Sequence, residues 1–280
     1  AIDEGVQLPH PTQEPDGSLF AAAAAALVGQ IDKIDGGFGS APKFPQTFAI
    51  DALLRQHART GDSAALDAAL LSLDAMAAGG IYDHLGGGFA RYATDKRWLI
   101  PHFEKMLYDE ALLARVYLHA WQLTGEPRFL QTLEETIEYV LRDLRHPLGG
   151  FFSAEDADSE GVEGKFYVWS IDEIRAICGD DAEDVIEWFG ATDHGNWEHT
   201  NILERVAPKH AEFADAVRVC FDVEAPDEDG SLDSIEELAR IALTAARGLG
   251  GQNAGPVQLN LAFREPLSST LPNAAAVVPT

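Results

Sequence analysis

The sequence predicts a mainly all-α fold, helical hairpins forming part of an α/α toroid, with one small β-hairpin. Three observations predict it. Apolar residues recur at three- and four-residue spacing in successive segments. A segment apolar on both faces is followed by one apolar on a single stripe, the pattern of an inner and an outer layer. The tripeptide Gly-Gly-Phe recurs at 36–38, 87–89 and 149–151, at separations close to the length of one helical hairpin and its loop.

Each element follows from local chemistry. Ser18 can cap an alanine-rich helix over about 19–34. Helices follow at about 46–60 and 63–78, and in the second Leu66, Leu70, Leu73 and Ala77 make one buried stripe. The stretch "WLIPHFEKMLYDEALL" begins a helix at Pro101 that runs to Thr124 and is apolar on two faces. Over 127–145, Phe129, Leu130, Leu133, Ile137, Leu141 and Leu144 form a single stripe. The aromatic runs "GFFSA" and "KFYVW", on either side of an acidic loop, predict a β-hairpin near 150–169. Short helices at 171–178 and 182–190 precede the loop "GATDHGNWEHTNIL". In domain terms, 1–17 reads as a linker, 18–205 as about three hairpins of a toroid, and 206–280 as a divergent tail.

Composition narrows the partners. The 46 acidic residues against 20 basic ones give a formal net charge of −26. That field repels phosphate backbones and anionic membranes, so neither nucleic acid nor membrane is expected. No apolar run reaches the roughly 20 residues of a membrane span, and neither a disulfide framework nor a metal-ligand set is visible around Cys178 and Cys220. The expected compartment is the cytoplasm, and no cofactor is expected.

The densest chemistry lies in "GGIYDHLGGGFARYATDKRWLIPHFEKMLYDEALL". Asp83, His84, Arg91, Tyr92, Trp98, His102, Glu104 and Tyr108 combine aromatic rings with acid–base groups, the composition of a pocket for a polyhydroxylated ligand. A structural reading competes: Lys105 and Asp109, four apart, would pair along a helix, with Glu104 favoured by the helix dipole. Lys43 is either a buried ion-pair partner or a ligand contact. In "EDADSEGVEG", Glu155, Asp156 and Asp158 either point into the funnel or form a solvated tip. The calcium-loop pattern fails there, because its twelfth position is Tyr167. Asn196, Glu198, His199 and Asn201 complete the polar candidates.

Together "GGFGSAPKFP", the long central stretch, "GGFFSAEDADSEGVEGKFYVW" and "GNWEHTNIL" resemble the thioredoxin-domain-containing proteins with an N-acylglucosamine 2-epimerase-like α/α toroid, a family with spermatogenesis-associated members in animals. The resemblance covers about residues 17–205. It implies a thioredoxin-like domain upstream, a complete six-hairpin toroid, and likeness to sugar epimerases and six-hairpin glycosidases. "GPVQLNLAFREPL" in the tail resembles the end of the pyrimidine-binding domain of a thiamine-diphosphate synthase of menaquinone synthesis, and a fusion or assembly join would account for it.

The functional expectation is a toroid handling a small carbohydrate in its funnel. His102 would act as general acid or base, with Glu104 orienting it or sharing its proton. Tyr108 and Arg91 would fix hydroxyls and Trp98 would stack on a ring. His84, Lys43, Glu155 and Asp158 complete the expected ligand contacts. Glu104 with Asp156 would suit glycoside hydrolysis. The alternatives are a non-enzymatic glycan- or protein-binding module beside a redox domain, an inactive fragment, and, for the tail, a piece of the thiamine-dependent synthase. Exposed toroid ends would favour self-association.

Overall fold

The computed structural model describes residues 17–206, which lie within one compact unit. The expected tail at 206–280 lies outside the described residues from 207 onward. Seven helices and six two-residue strands follow in order: α1 (Gly17–Gln30), α2 (Thr47–Thr60), α3 (Ser63–Ala78), β1 (Lys105–Met106), α4 (Leu107–Thr124), α5 (Pro127–Tyr139), β2 (Ala154–Glu155), β3 (Asp158–Ser159), β4 (Val162–Glu163), β5 (Val168–Trp169), α6 (Ile171–Cys178), α7 (Ala182–Phe189) and β6 (Asn201–Ile202). The fold of the described residues is mainly all-α, helical hairpins with small strand pairs. Among the described residues no helix is long and apolar enough to cross a membrane.

Local signals set the hairpins. Gly61 closes α2 in the left-handed conformation, and the Asp62 carboxylate then caps α3 by accepting from the backbone N–H groups of Ala64 and Ala65. Gly125 ends α4 in the same way, and Pro127 opens α5. Thus α2–α3 and α4–α5 are antiparallel hairpins. Helices α2 and α4 pack side by side, and Arg128 of α5 bridges to Asp74 of α3 at 2.7 Å, which gives two layers. Ile50, Leu53, Leu73, Met76, Leu113, Val116, Phe129 and Leu133 fill the space between them. Tyr117 crosses this core to donate to the Leu73 carbonyl at 2.8 Å.

The Gly-Gly-Phe copies become a structural unit. In the first, the Asp32 carboxylate accepts from the N–H groups of Ile34 and Asp35, the chain turns at Gly36 and Gly37, and Phe38 bridges back to Ile31. In the second, Asp83 accepts from Leu85 and Gly86 N–H, and Phe89 bridges to Tyr82. Each aspartate also takes a buried lysine. Lys43 Nζ lies 2.9 Å from Asp32 Oδ2, and Lys105 Nζ lies 2.8 Å from Asp83 Oδ2. Each ammonium has an aromatic face beside it, Trp98 for Lys43 and Tyr139 for Lys105. The second glycine must be glycine in both. Its φ is 72° at Gly37 and 79° at Gly88, and a Cβ there would meet the Trp98 or Tyr139 ring at 2.4 or 2.5 Å. The third copy keeps the turn but has His146 where the others have aspartate, and Leu148, Phe151 and Phe152 are exposed.

Three expectations need correction. Helix α4 starts at Leu107, not at Pro101. Residues 98–106 are not helical because their backbone groups are already paired: Ile81 N–H with Trp98 O, Thr94 N–H with Ile100 O, His102 N–H with Tyr92 O, and Arg91 N–H with Glu104 O. Consequently Lys105 does not reach Asp109 along a helix and pairs with Asp83 instead. Nor do "GFFSA" and "KFYVW" pair with each other. Ala154 and Glu155 pair with Met106 and Lys105, Val168 and Trp169 pair with Ile202 and Asn201, and the small hairpin is the β3–β4 pair. The predicted helix over 127–145 ends its α-helical part at Tyr139 and finishes in a π turn, Val140–Leu144.

The buried pair beneath the second turn gives a direct prediction. Lys105→Met strands the Asp83 charge and is expected to cost about 3–5 kcal/mol in urea unfolding. Adding Asp83→Asn, which keeps an acceptor for the turn, should restore a substantial part of that loss. A double variant as unstable as the single one would show that lysine packing, not the stranded charge, sets the cost.

Candidate functional site

The paired segments 91–94 and 100–105 carry the site. The chain turns at Phe103, which is left-handed and buried at 3% exposure, with Glu104 N–H donating to His102 O, while the flanking His102 and Glu104 are only half-buried. A β-bridge joins Ala93 to Pro101, and Ala93 is bridged on its other side to Lys43. This brings the loop "APKFP" alongside. Its Lys43 turns inward to Asp32, while Phe44 stays 41% exposed.

Two clusters result. In the first, the Phe44 and Tyr92 rings lie 4.7 Å apart, and Tyr92 stacks on the His102 imidazole at 4.8 Å and 19°. The His102 Nδ1 lies 3.3 Å from Glu163 Oε1 on β4. In the second, Arg91 Nη1 lies 3.3 Å from Glu104 Oε2, beside Tyr108 and Asp109 at the start of α4. Asp109 Oδ2 is buried without a hydrogen-bond partner among the described residues. Burial pushes its carboxyl up to about 6 and the Glu104 charge adds to this, while Arg91 and Tyr108 oppose it. Tyr108 is also raised by burial and then by Asp109. Next in sequence, Glu110 is wholly buried. One oxygen accepts from Phe89 N–H at 2.8 Å, the other has no partner among the described residues, and burial lifts the carboxyl to about 8.

The remaining sequence-predicted residues lie elsewhere. Trp98 is wholly buried, with its indole N–H on the Asp35 carbonyl, so it offers no ring face to a ligand. Lys43 takes the ion-pair role. His84 sits between Tyr82 and Phe189 with Nε2 at 3.1 Å from the Gly79 carbonyl. Burial holds it down to about 4, aided by the Arg205 charge, so it is a neutral packing residue. Glu155 accepts from the Tyr139 hydroxyl at 2.6 Å, close to the Lys105 pair. Asp156 and Asp158 are exposed, and Asp156 accepts from the Asp158 N–H in a local turn. Asn196 and Asn201 clasp the backbone of Ile202, Thr192 and Trp169. Sequence reasoning missed Phe44 and Glu163 and gave Asp109 a helix ion pair. For Phe44 a signal existed: an aromatic between two prolines, outside any apolar stripe.

Asp109 and Glu110 give a pH prediction. Both carboxyls hold protons more tightly folded than unfolded, where they titrate near 3.8 and 4.5. The folded state therefore binds more protons above pH 4, and stability should fall as pH rises to about 8. Asp32 and Asp51, held near 2, act outside this window and lose their contribution only in acid. Urea midpoints measured against pH should flatten below about pH 6 in Asp109→Asn and between pH 6 and 8 in Glu110→Gln. Unchanged slopes in both variants would show that these protons are not held by the fold.

No family model matches the chain. It is 46% identical over 156 residues to mouse spermatogenesis-associated protein 20, a match spanning 52% of this chain and 20% of the mouse protein. The chain therefore spans about a fifth of the relatives it resembles. Over 60 residues, 20% of the chain, it is 47% identical to a tenth of the 2-succinyl-5-enolpyruvyl-6-hydroxy-3-cyclohexene-1-carboxylate synthase of Leifsonia xyli. Among solved structures it is similar to a sugar epimerase from a ruminal bacterium, with a TM-score of 0.45 and 13% identity over 57% of this chain and 47% of that one. It is also similar to the cellobiose 2-epimerase of Spirochaeta thermophila, with a TM-score of 0.44 and 16% identity over 84% and 72%.

Proposed function

We infer that the outward face of the 91–94 and 100–105 segments is a carbohydrate-handling site of epimerase-like character. The observation that carries this is the stack of Phe44, Tyr92 and His102 beside the Arg91–Glu104–Tyr108–Asp109 cluster. An aromatic ring presents an apolar face to the C–H side of a sugar. The flanking charged and hydroxyl groups match its hydroxyls.

In this reading Phe44 is the stacking platform, the part sequence analysis gave to Trp98. His102 is the group that exchanges a proton with the ligand, since imidazole can both take and return one near neutral pH. Arg91, Glu104 and Tyr108 fix hydroxyl or carbonyl oxygens. Asp109 supplies a second carboxyl that still carries its proton at mildly acid pH. Removing a proton beside a sugar carbonyl and returning it to the other face needs only such groups.

Saturation-transfer NMR with a panel of neutral mono- and disaccharides tests the reading. Binding by at least one sugar is expected, with Phe44→Ala weakening it about tenfold, the scale of a lost stacking contact. His102→Ala should abolish proton exchange at the carbon beside the carbonyl without lowering the thermal midpoint. No sugar contact at millimolar concentration, or binding indifferent to Phe44, would contradict it.

A further inference from the structure

We propose that Glu163 is the positioning residue for His102. Its carboxylate fixes the imidazole in the Nδ1–H tautomer and leaves Nε2 as the bare nitrogen facing the ligand. The role of His102 toward a ligand rests on the carbohydrate reading; its orientation by Glu163 does not.

The geometry comes from three contacts. The Tyr92 ring covers one face of the imidazole at 4.8 Å, which sets its plane. The His102 N–H donates to the Tyr92 carbonyl, so the backbone cannot rotate the side chain away. Glu163 Oε1 then meets Nδ1 at 3.3 Å. A carboxylate only accepts, so its approach favours the proton on the nearer ring nitrogen and leaves the other nitrogen free to take one. The His102 side chain is 36% exposed, so that second nitrogen belongs to a ring that ligand can approach.

The β3–β4 hairpin is built to keep Glu163 there. Asp158 pairs with Glu163 and Ser159 with Val162, and the turn passes through Glu160 and Gly161, both at positive φ. At the base, Gly164 N–H donates to Ala157 O. A Cβ on Gly164 would come within 2.5 Å of the Phe103 ring. The residue after Glu163 is thus packed on the residue after His102, which couples the carboxylate and the imidazole. The hairpin's other ion pair, Glu160 with Lys165, lies at the exposed tip and takes no part.

The tautomer can be read directly from imidazole ¹⁵N shifts in selectively labelled, ligand-free protein, so the result is independent of whether any sugar binds. The neutral His102 ring should show the Nδ1–H form in the native chain. It should keep that form in Glu163→Gln, whose amide oxygen can still accept, and lose it in Glu163→Ala. The control Glu160→Ala should leave it unchanged. A native ring in the Nε2–H form would overturn the proposal without any variant. So would an unchanged tautomer in Glu163→Ala, or an equal change in Glu160→Ala.

Discussion

Much of this architecture rests on a buried lysine reaching an aspartate that already caps a turn, and the chain builds it twice. An ammonium and a carboxylate out of water are tolerated only when both are paired and further hydrogen-bonded. Asp32 and Asp83 meet that condition through backbone N–H groups and lysine. Burial alone would raise the Asp83 carboxyl, yet Lys105 and the Gly86 and Leu85 amides hold it below its usual value. Lys43 holds Asp32 near 2, aided by the Asp35 amide. Each lysine also donates to a carbonyl, Lys96 or Gly87, and so ties a distant loop to the turn.

Those ties decide where the functional side chains appear. Lys43 fixes the loop bearing Phe44, and its backbone pairs with Ala93 beside Tyr92. Lys105 ends the segment bearing His102 and Glu104, and its backbone pairs with Glu155. Residues 98–106 do not continue as helix, because their N–H and C=O groups are committed to residues 81–94 and 154–155. Trp98 and Phe103 adopt positive φ there, a cost of order 1–3 kcal/mol each that the surrounding packing must offset. Strain of that kind is consistent with a segment shaped for presentation of side chains.

What could be read from sequence divides along the same line. Helix α3 was legible to the residue at both ends, because Gly61, Asp62 and Gly79 are local signals. The Gly-Gly-Phe recurrence pointed to hairpin-sized units, and its glycines share the left-handed turn. The start of α4 was not legible. Pro101 and the acidic residues after it imitate a helix beginning, while the pairing that keeps 98–106 from becoming helix is with residues 81–94 and 154–155. Lys105 was misassigned for the same reason: Asp109 is close in sequence, whereas Asp83 is close only in space. Arg91, Glu104 and Tyr108 stood out by residue type and do meet, while His102, which stood out with them, lies in the aromatic cluster with Tyr92 and Phe44. Trp98 and His84 stood out equally and are packing residues, because type alone does not distinguish an inward from an outward face. Glu163 was hidden among the acidic residues of its hairpin, and only the fold sets it apart from Asp156 and Asp158.

The central claim is that the paired segments 91–94 and 98–106 are held in place beside the two buried lysines and so present the site. Native-state hydrogen exchange at the Arg91, Ala93 and His102 amides tests it most directly, since each lies in those segments and donates to a paired carbonyl. The account predicts protection within about tenfold of core amides in α4, because opening them requires unseating a buried ion pair. Exchange at the rate of the exposed loop around Gly149 would contradict it.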